Sequence, residues 1–281
     1  MKTTRFFGMM ALMMAIVMLS LSSCKKDSNT EPTAQKNKAD ENSAFAEKTF
    51  KDLGGITDKA MNNGQKMMKS GLTFKQSENT CMTITLDLSH QPYVLTIDFG
   101  ATNCQCDDGH YRRGKIIVTY TQGFGDSLTS LSTTLDNYFD NDNQILGTRT
   151  VTYLGHNAAG HLNWEENVDG SIILANNGGT ITYQSHFNFE MIEGEATPLV
   201  VEDNTYSITG SASGTTVLGQ SFSNVITSPL IYKMSCTYAV SGVIEITPAG
   251  EPVRVLDYGN GECDNLATVT VSGYTINLIL P

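Results

Sequence analysis

The feature that most narrows the fold is a period of two. Ile181, Tyr183, Ser185, Phe187, Phe189 and Met191 alternate with Thr182, Gln184, His186, Asn188 and Glu190. One side is largely apolar and the other wet, as a half-buried strand requires. The alternation recurs at Tyr93, Leu95, Ile97 and Phe99, at Ile116, Val118 and Tyr120, and at Met234, Cys236, Tyr238 and Val240. Val269-Thr270-Val271, Ser272-Gly273 and Tyr274-Thr275-Ile276-Asn277-Leu278 read as a tight terminal hairpin. Turn signals at Asn141-Asp142, Gly178-Gly179 and Pro248-Ala249-Gly250 separate the runs, and no periodic helix interrupts them. Parallel strands need crossover helices. The expected fold is therefore all-β over residues 75–281, an antiparallel meander forming a sandwich or a curved, partly closed barrel.

A single helix is expected ahead of the sheet. Over residues 43–70, Phe45, Phe50, Leu53, Ile56, Ala60 and Met61 recur at steps that approximate one helical face. Asn42 or Ser43 would cap its start. Gly54-Gly55 costs about 2 kcal/mol against two alanines, which predicts a break there. The helix would pack on the sheet, or plug it so that a ligand could displace it. Residues 24–42 carry too little apolar surface to order themselves and read as a flexible tether.

The first 23 residues have a different character. Lys2 and Arg5 form a basic start without an acid, and Phe6 to Leu21 is a 16-residue, mostly apolar run. A spanning helix needs about 20 such residues, so the run is sized for a signal-peptide core. It ends in Leu21-Ser22-Ser23-Cys24, which resembles a bacterial lipobox. The resemblance implies cleavage after Ser23 and acylation of Cys24, which would hold the chain on a membrane. The net charge is −11, and −13 once Lys2 and Arg5 are lost with the leader. So acidic a body argues against nucleic acid as a partner.

Lys25-Lys26-Asp27 and the polar tether after Cys24 are typical of lipoproteins of Bacteroidetes-type bacteria. The β region also resembles an uncharacterised lipoprotein family of those bacteria. The matching pieces are Asp98-Phe99-Gly100 with Cys104, Arg113-Gly114-Lys115-Ile116-Ile117-Val118, Gly147-Thr148-Arg149, and Asp257-Tyr258-Gly259-Asn260-Gly261 with Cys263-Asp264-Asn265. The resemblance implies fold and envelope location, and no activity. Asp126-Ser127-Leu128 resembles the O-glycosylation sequon of such bacteria, which makes Ser127 a candidate glycan acceptor.

The chain repeats itself faintly. Asp98-Phe99-Gly100-x3-Cys104 matches Asp257-Tyr258-Gly259-x3-Cys263, and each is preceded by a cysteine that opens a run, Cys81 and Cys236. Two related halves are expected, 80–175 and 176–281. An exported chain meets an oxidising compartment, and the repeat pairs Cys81 with Cys104 and Cys236 with Cys263. Cys106 is then left over, and Cys81–Cys106 is the alternative.

Catalytic signals are thin. Cys104-x-Cys106 with Asp107, Asp108 and His110 gathers metal-type ligands, but structural zinc sites use wider spacing and a second pair. Asp140-Asn141-Asp142-Asn143 has oxygen ligands suited to calcium, yet Ile145 and Val151 stand where an EF-hand needs Gly and Glu. Arg112-Arg113-x-Lys115 would bind an anion or flank a strand as exposed charge. Trp164 beside Glu165 and Glu166 offers a sugar-stacking ring next to a carboxylate, without the second carboxylate a glycosidase requires. The five histidines accompany no nucleophile elbow and no His-Glu-x-x-His pair. No metal, cofactor or catalytic residue is assigned. The expected function is an outer-membrane lipoprotein, on the periplasmic face or the cell surface, whose β domain binds or scaffolds a protein or glycan partner without catalysis. The alternatives are a glycan-active hydrolase and a carrier of an apolar ligand.

Overall fold

The computed structural model describes residues 38–68, 75–78, 81–121, 130–197 and 200–280. The leader, Cys24, most of the tether and Ser127 lie outside the described residues. Among the described residues one helix, α1 (Lys38–Met68), precedes the strands. They are β1 (Lys75–Glu78), β2 (Met82–Asp87), β3 (Tyr93–Asp98), β4 (Cys104–Gln105), β5 (Tyr111–Tyr120), β6 (Ser130–Asp140), β7 (Asn143–His156) and β8 (Leu162–Ile173). After them come β9 (Thr180–Glu193), β10 (Thr205–Thr215), β11 (Ser221–Lys233), β12 (Ser241–Pro248), β13 (Arg254–Asn260), β14 (Leu266–Val271) and β15 (Tyr274–Ile279). They form one antiparallel meander in which each strand pairs with the next, except that β4 is a short side pairing on β5. The sheet is not closed into a barrel.

The predicted terminal hairpin is present. Val271 pairs with Tyr274 across Ser272 and Gly273, which have φ of 51° and 82°, the left-handed pair that a type I′ turn needs. The run from Met234 to Val240 departs from expectation. It forms turns between β11 and β12 rather than a strand. Tyr238, Ala239 and Val240 are buried consecutively, so the period of two is not kept there.

α1 also differs from its expected form. It starts at Lys38, inside the predicted tether, and ends at Met68. Asn42 and Ser43 are not caps but buried anchors. The Asn42 side-chain oxygen accepts the Val217 N–H at 3.0 Å, and the Asn224 amide donates to Ser43 Oγ at 2.9 Å. The buried stripe is Ala46, Phe50, Leu53, Thr57, Ala60 and Met61, while Phe45 keeps 38% of its surface exposed. The helix continues through Gly54-Gly55 because Gly54 is a contact rather than a break. A Cβ there would lie 3.2 Å from the Arg149 guanidinium. Gly170 serves the same purpose on the sheet, since a Cβ would come within 2.3 Å of the Phe50 ring.

These contacts fix the direction of α1. Ser43 meets β11, Phe50 meets β8 and stacks on Tyr183 of β9 at 5.6 Å, and Thr57 meets β7. From Ser43 to Thr57 the helix rises about 21 Å. Four strand spacings, from β11 to β7, are about 19 Å. The helix therefore lies nearly perpendicular to the strands and braces them on one face.

Two cores result. The first joins α1 to the inner side chains of β2 through β11. The second lies under β10–β15 around Tyr232, Leu256, Tyr258, Leu278 and Leu280. The boundary between the expected halves at 175/176 does not divide either the sheet or a core. β8 and β9 pair there over twelve positions, and the first core runs through both. The repeat itself is structural. The Asp98 and Asp257 carboxylates accept the N–H of Gly100 and Gly259, each at 2.8 Å, and Phe99 and Tyr258 are buried. Each turn is tied by a disulfide, Cys81–Cys104 or Cys236–Cys263, to the start of the preceding hairpin. The two motifs sit toward opposite ends of the meander.

Candidate functional site

Register defines the inner face row by row, because residues directly opposite across strands share a side. One row is Thr133, Arg149, Val168, Ser185, Ala212 and Asn224. Four of its members are polar and buried, and α1 lies over it with Ser43 on Asn224 and Thr57 on Arg149. The next row holds Val151, Glu166 and Phe187. The one after it, about 7 Å further along the strands, is Tyr153, Trp164, Phe189 and Ile208.

Arg149 is the centre of the first row. It is 5% exposed, and its guanidinium donates to Glu166 Oε2 at 2.7 Å and to Thr57 Oγ1 at 3.2 Å, with Asp58 Oδ1 at 3.5 Å. Burial works against its charge, but Glu166 and Asp58 overcome that and make it more basic than usual. Burial raises the Asp58 carboxyl above its ordinary range, against the pull of Arg149, although its side chain keeps 46% of its surface accessible. Tyr153 is also raised by burial and then by Asp58.

The helix supplies a polar edge. Glu47, Lys51, Gly54 and Asp58 are four, three and four residues apart and fall on one side of α1. Desolvation pushes Glu47 up to about 7, against Lys51, and pushes Lys51 down to about 8, against Glu47. Buried polar atoms are normally satisfied; among the described residues the exceptions are Lys51 Nζ, Arg149 Nε, Arg112 Nε, Gln220 Oε1, Asn224 Oδ1 and the Tyr258 hydroxyl, and the first two lie at this edge.

Beyond that edge lies an aromatic strip. Trp164 stacks on Phe189 at 5.4 Å and 1°, meets Tyr206 edge-on at 5.8 Å, and lies 6.0 Å from Tyr153. All four rings are only half-buried. Trp164 and Tyr153 pack against the first core, Phe189 and Tyr206 against the second, and Phe187 against both. The strip is thus the seam between the cores, with Asp58 of α1 near its Tyr153 end. A hollow of about 200 Å³ is lined by Asn157, Asn163, Asn188, Glu190, Ser207 and Thr209, whose side chains alternate to the opposite face, together with Trp164 and Phe189. There the Glu190 carboxylate is already held by Asn157 and His161.

Trp164 is on the inner face. Glu165 and Glu166 alternate onto opposite faces, and Glu166 is committed to Arg149, so they do not form a carboxylate pair beside the ring. Cys104 is bonded to Cys81, Asp108 binds Arg112, and His110 binds Asp140 at 2.7 Å, so the metal-type ligands there are engaged with other groups. Among the described residues Cys106 is the free cysteine, and burial pushes its thiol up. Asp140 and Asp142 hold the β6–β7 turn to Arg112 and Arg113. Arg112 is not exposed strand charge but 3% exposed, and Arg113 packs over the Phe139 ring at 3.7 Å. Glu47, Lys51, Asp58 and Arg149 carry no motif that singles them out in the sequence. The four- and seven-residue spacing of the first three, which puts them on one side of a helix, is the available signal.

Comparison with protein-family models, with curated proteins and with solved structures finds no match to this chain.

Proposed function

We propose that this chain is a lipid-anchored, extracytoplasmic protein of the outer membrane whose sheet binds a ligand or partner without catalysis. The observation that carries the reading is the order of its N-terminal signals: Lys2 and Arg5, a 16-residue apolar run, two serines and Cys24. The two disulfides of the body support it, because such bonds persist in oxidising compartments. The half-buried rings around Trp164 support binding on the inner face. They also favour a carrier of an apolar ligand over a glycan hydrolase, because Glu166, the carboxylate on the ring's own face, is spent on Arg149.

Growth with labelled palmitate tests the anchoring. Label should enter the wild-type chain and not Cys24→Ser, and equal labelling of both would overturn the reading.

A further inference from the structure

The geometry points to the seam between the two cores as a site for an apolar-tailed carboxylate, with its acid group at Lys51 and its tail along Trp164, Phe189 and Tyr206. This rests on the proposal that the inner face binds a ligand, and adds what that ligand is.

Three observations converge. First, the strip is largely apolar and only half-buried, whereas the row under the helix is buried. Second, its charged end carries unused hydrogen-bond donors. Among the described residues Lys51 Nζ and Arg149 Nε have no acceptor. Lys51 is one helical turn from Gly54, which abuts the Arg149 guanidinium that holds Glu166, and Glu166 is two residues from Trp164 on the same face of β8. Third, the neighbouring acids leave room for an anion. Glu166 is taken by Arg149, Asp58 sits on the same guanidinium, Asp52 is paired with Lys48, and burial favours the neutral form of Glu47. An ammonium buried without a partner is costly, and a ligand carboxylate would supply the acceptor it lacks. A neutral ligand of the same length would cover the rings but leave Lys51 as it is.

Trp164 is the single tryptophan, so its emission reports on the strip directly. The full-length chain recovered from cells and freed of detergent is titrated with decanoate and, separately, with 1-decanol. Decanoate should change Trp164 emission with at least about tenfold higher affinity than the alcohol, as a charge-assisted contact implies. Lys51→Met should bring the two within about threefold, and Lys51→Arg should keep the preference. If Lys51→Met does not fold, as judged by circular dichroism, Lys51→Gln serves in its place. Equal affinity for acid and alcohol in the wild type overturns the carboxylate assignment while leaving a ligand-binding strip. No emission change with either compound overturns the strip as well, without bearing on the anchor at Cys24.

Discussion

Arg149 reaches the helix from the middle of β7, and the fold closes around it. Its partners come from two elements, Glu166 from β8 and Thr57 and Asp58 from α1. Removing one member of a buried pair strands the other in a poorly solvated place. Arg149→Ala should therefore cost about 3–5 kcal/mol in chemical denaturation, and the double change Arg149→Met, Glu166→Leu should recover much of that loss. A cost below about 1 kcal/mol would show that the network does not hold the helix. Gly170 is a second test at this scale, because any side chain there collides with Phe50. Gly170→Ala should destabilise by about 1–3 kcal/mol, and Phe50→Leu in the same chain should relieve part of it. Neither residue was legible in the sequence. Thr148-Arg149-Thr150 reads as polar on both sides of a strand, and nothing in one strand says that a charged member points inward toward a helix residue 92 positions away.

At the scale of the element, α1 was legible as a helix and misread in its details. Its apolar spacing was visible, but Asn42 and Ser43 have the composition of a cap and the role of an anchor. Gly54-Gly55 has the composition of a break because the guanidinium that fills the gap belongs to another element. The Glu47–Lys51 pair makes the helix sensitive to pH. An acid raised from 4.5 to about 7 binds its proton in the folded chain after the unfolded chain has lost it. Its contribution to stability is thus present below pH 4.5 and is lost as the pH rises to about 7. Lys51, lowered from 10.5 to about 8, acts in the opposite sense between those values. Melting temperatures of wild type and Glu47→Gln should therefore agree near pH 4.5 and diverge toward pH 7, with the variant the more stable. A constant offset across that window would contradict the burial assigned to Glu47.

The whole molecule is one long sheet, legible because its strands keep one face wet and the meander needs no crossover. The strand run predicted from Met234 to Val240 failed because the Cys236–Cys263 bond and the second core hold that stretch as buried turns. The two disulfides close stretches of 23 and 27 residues, at opposite ends of the meander. Each should contribute about 3 kcal/mol by the loop-entropy account. Cys236→Ser should loosen the β12–β15 end by that amount, as followed by denaturant unfolding, and leave the Trp164 emission of the native chain unchanged. The account as a whole is tested most directly by the intact mass of the chain recovered from the cell envelope. It predicts loss of residues 1–23, added acyl mass on Cys24, and the mass deficit of two disulfides with Cys106 as a free thiol. A chain that still begins at Met1, carries no acyl mass and shows six free thiols would contradict it.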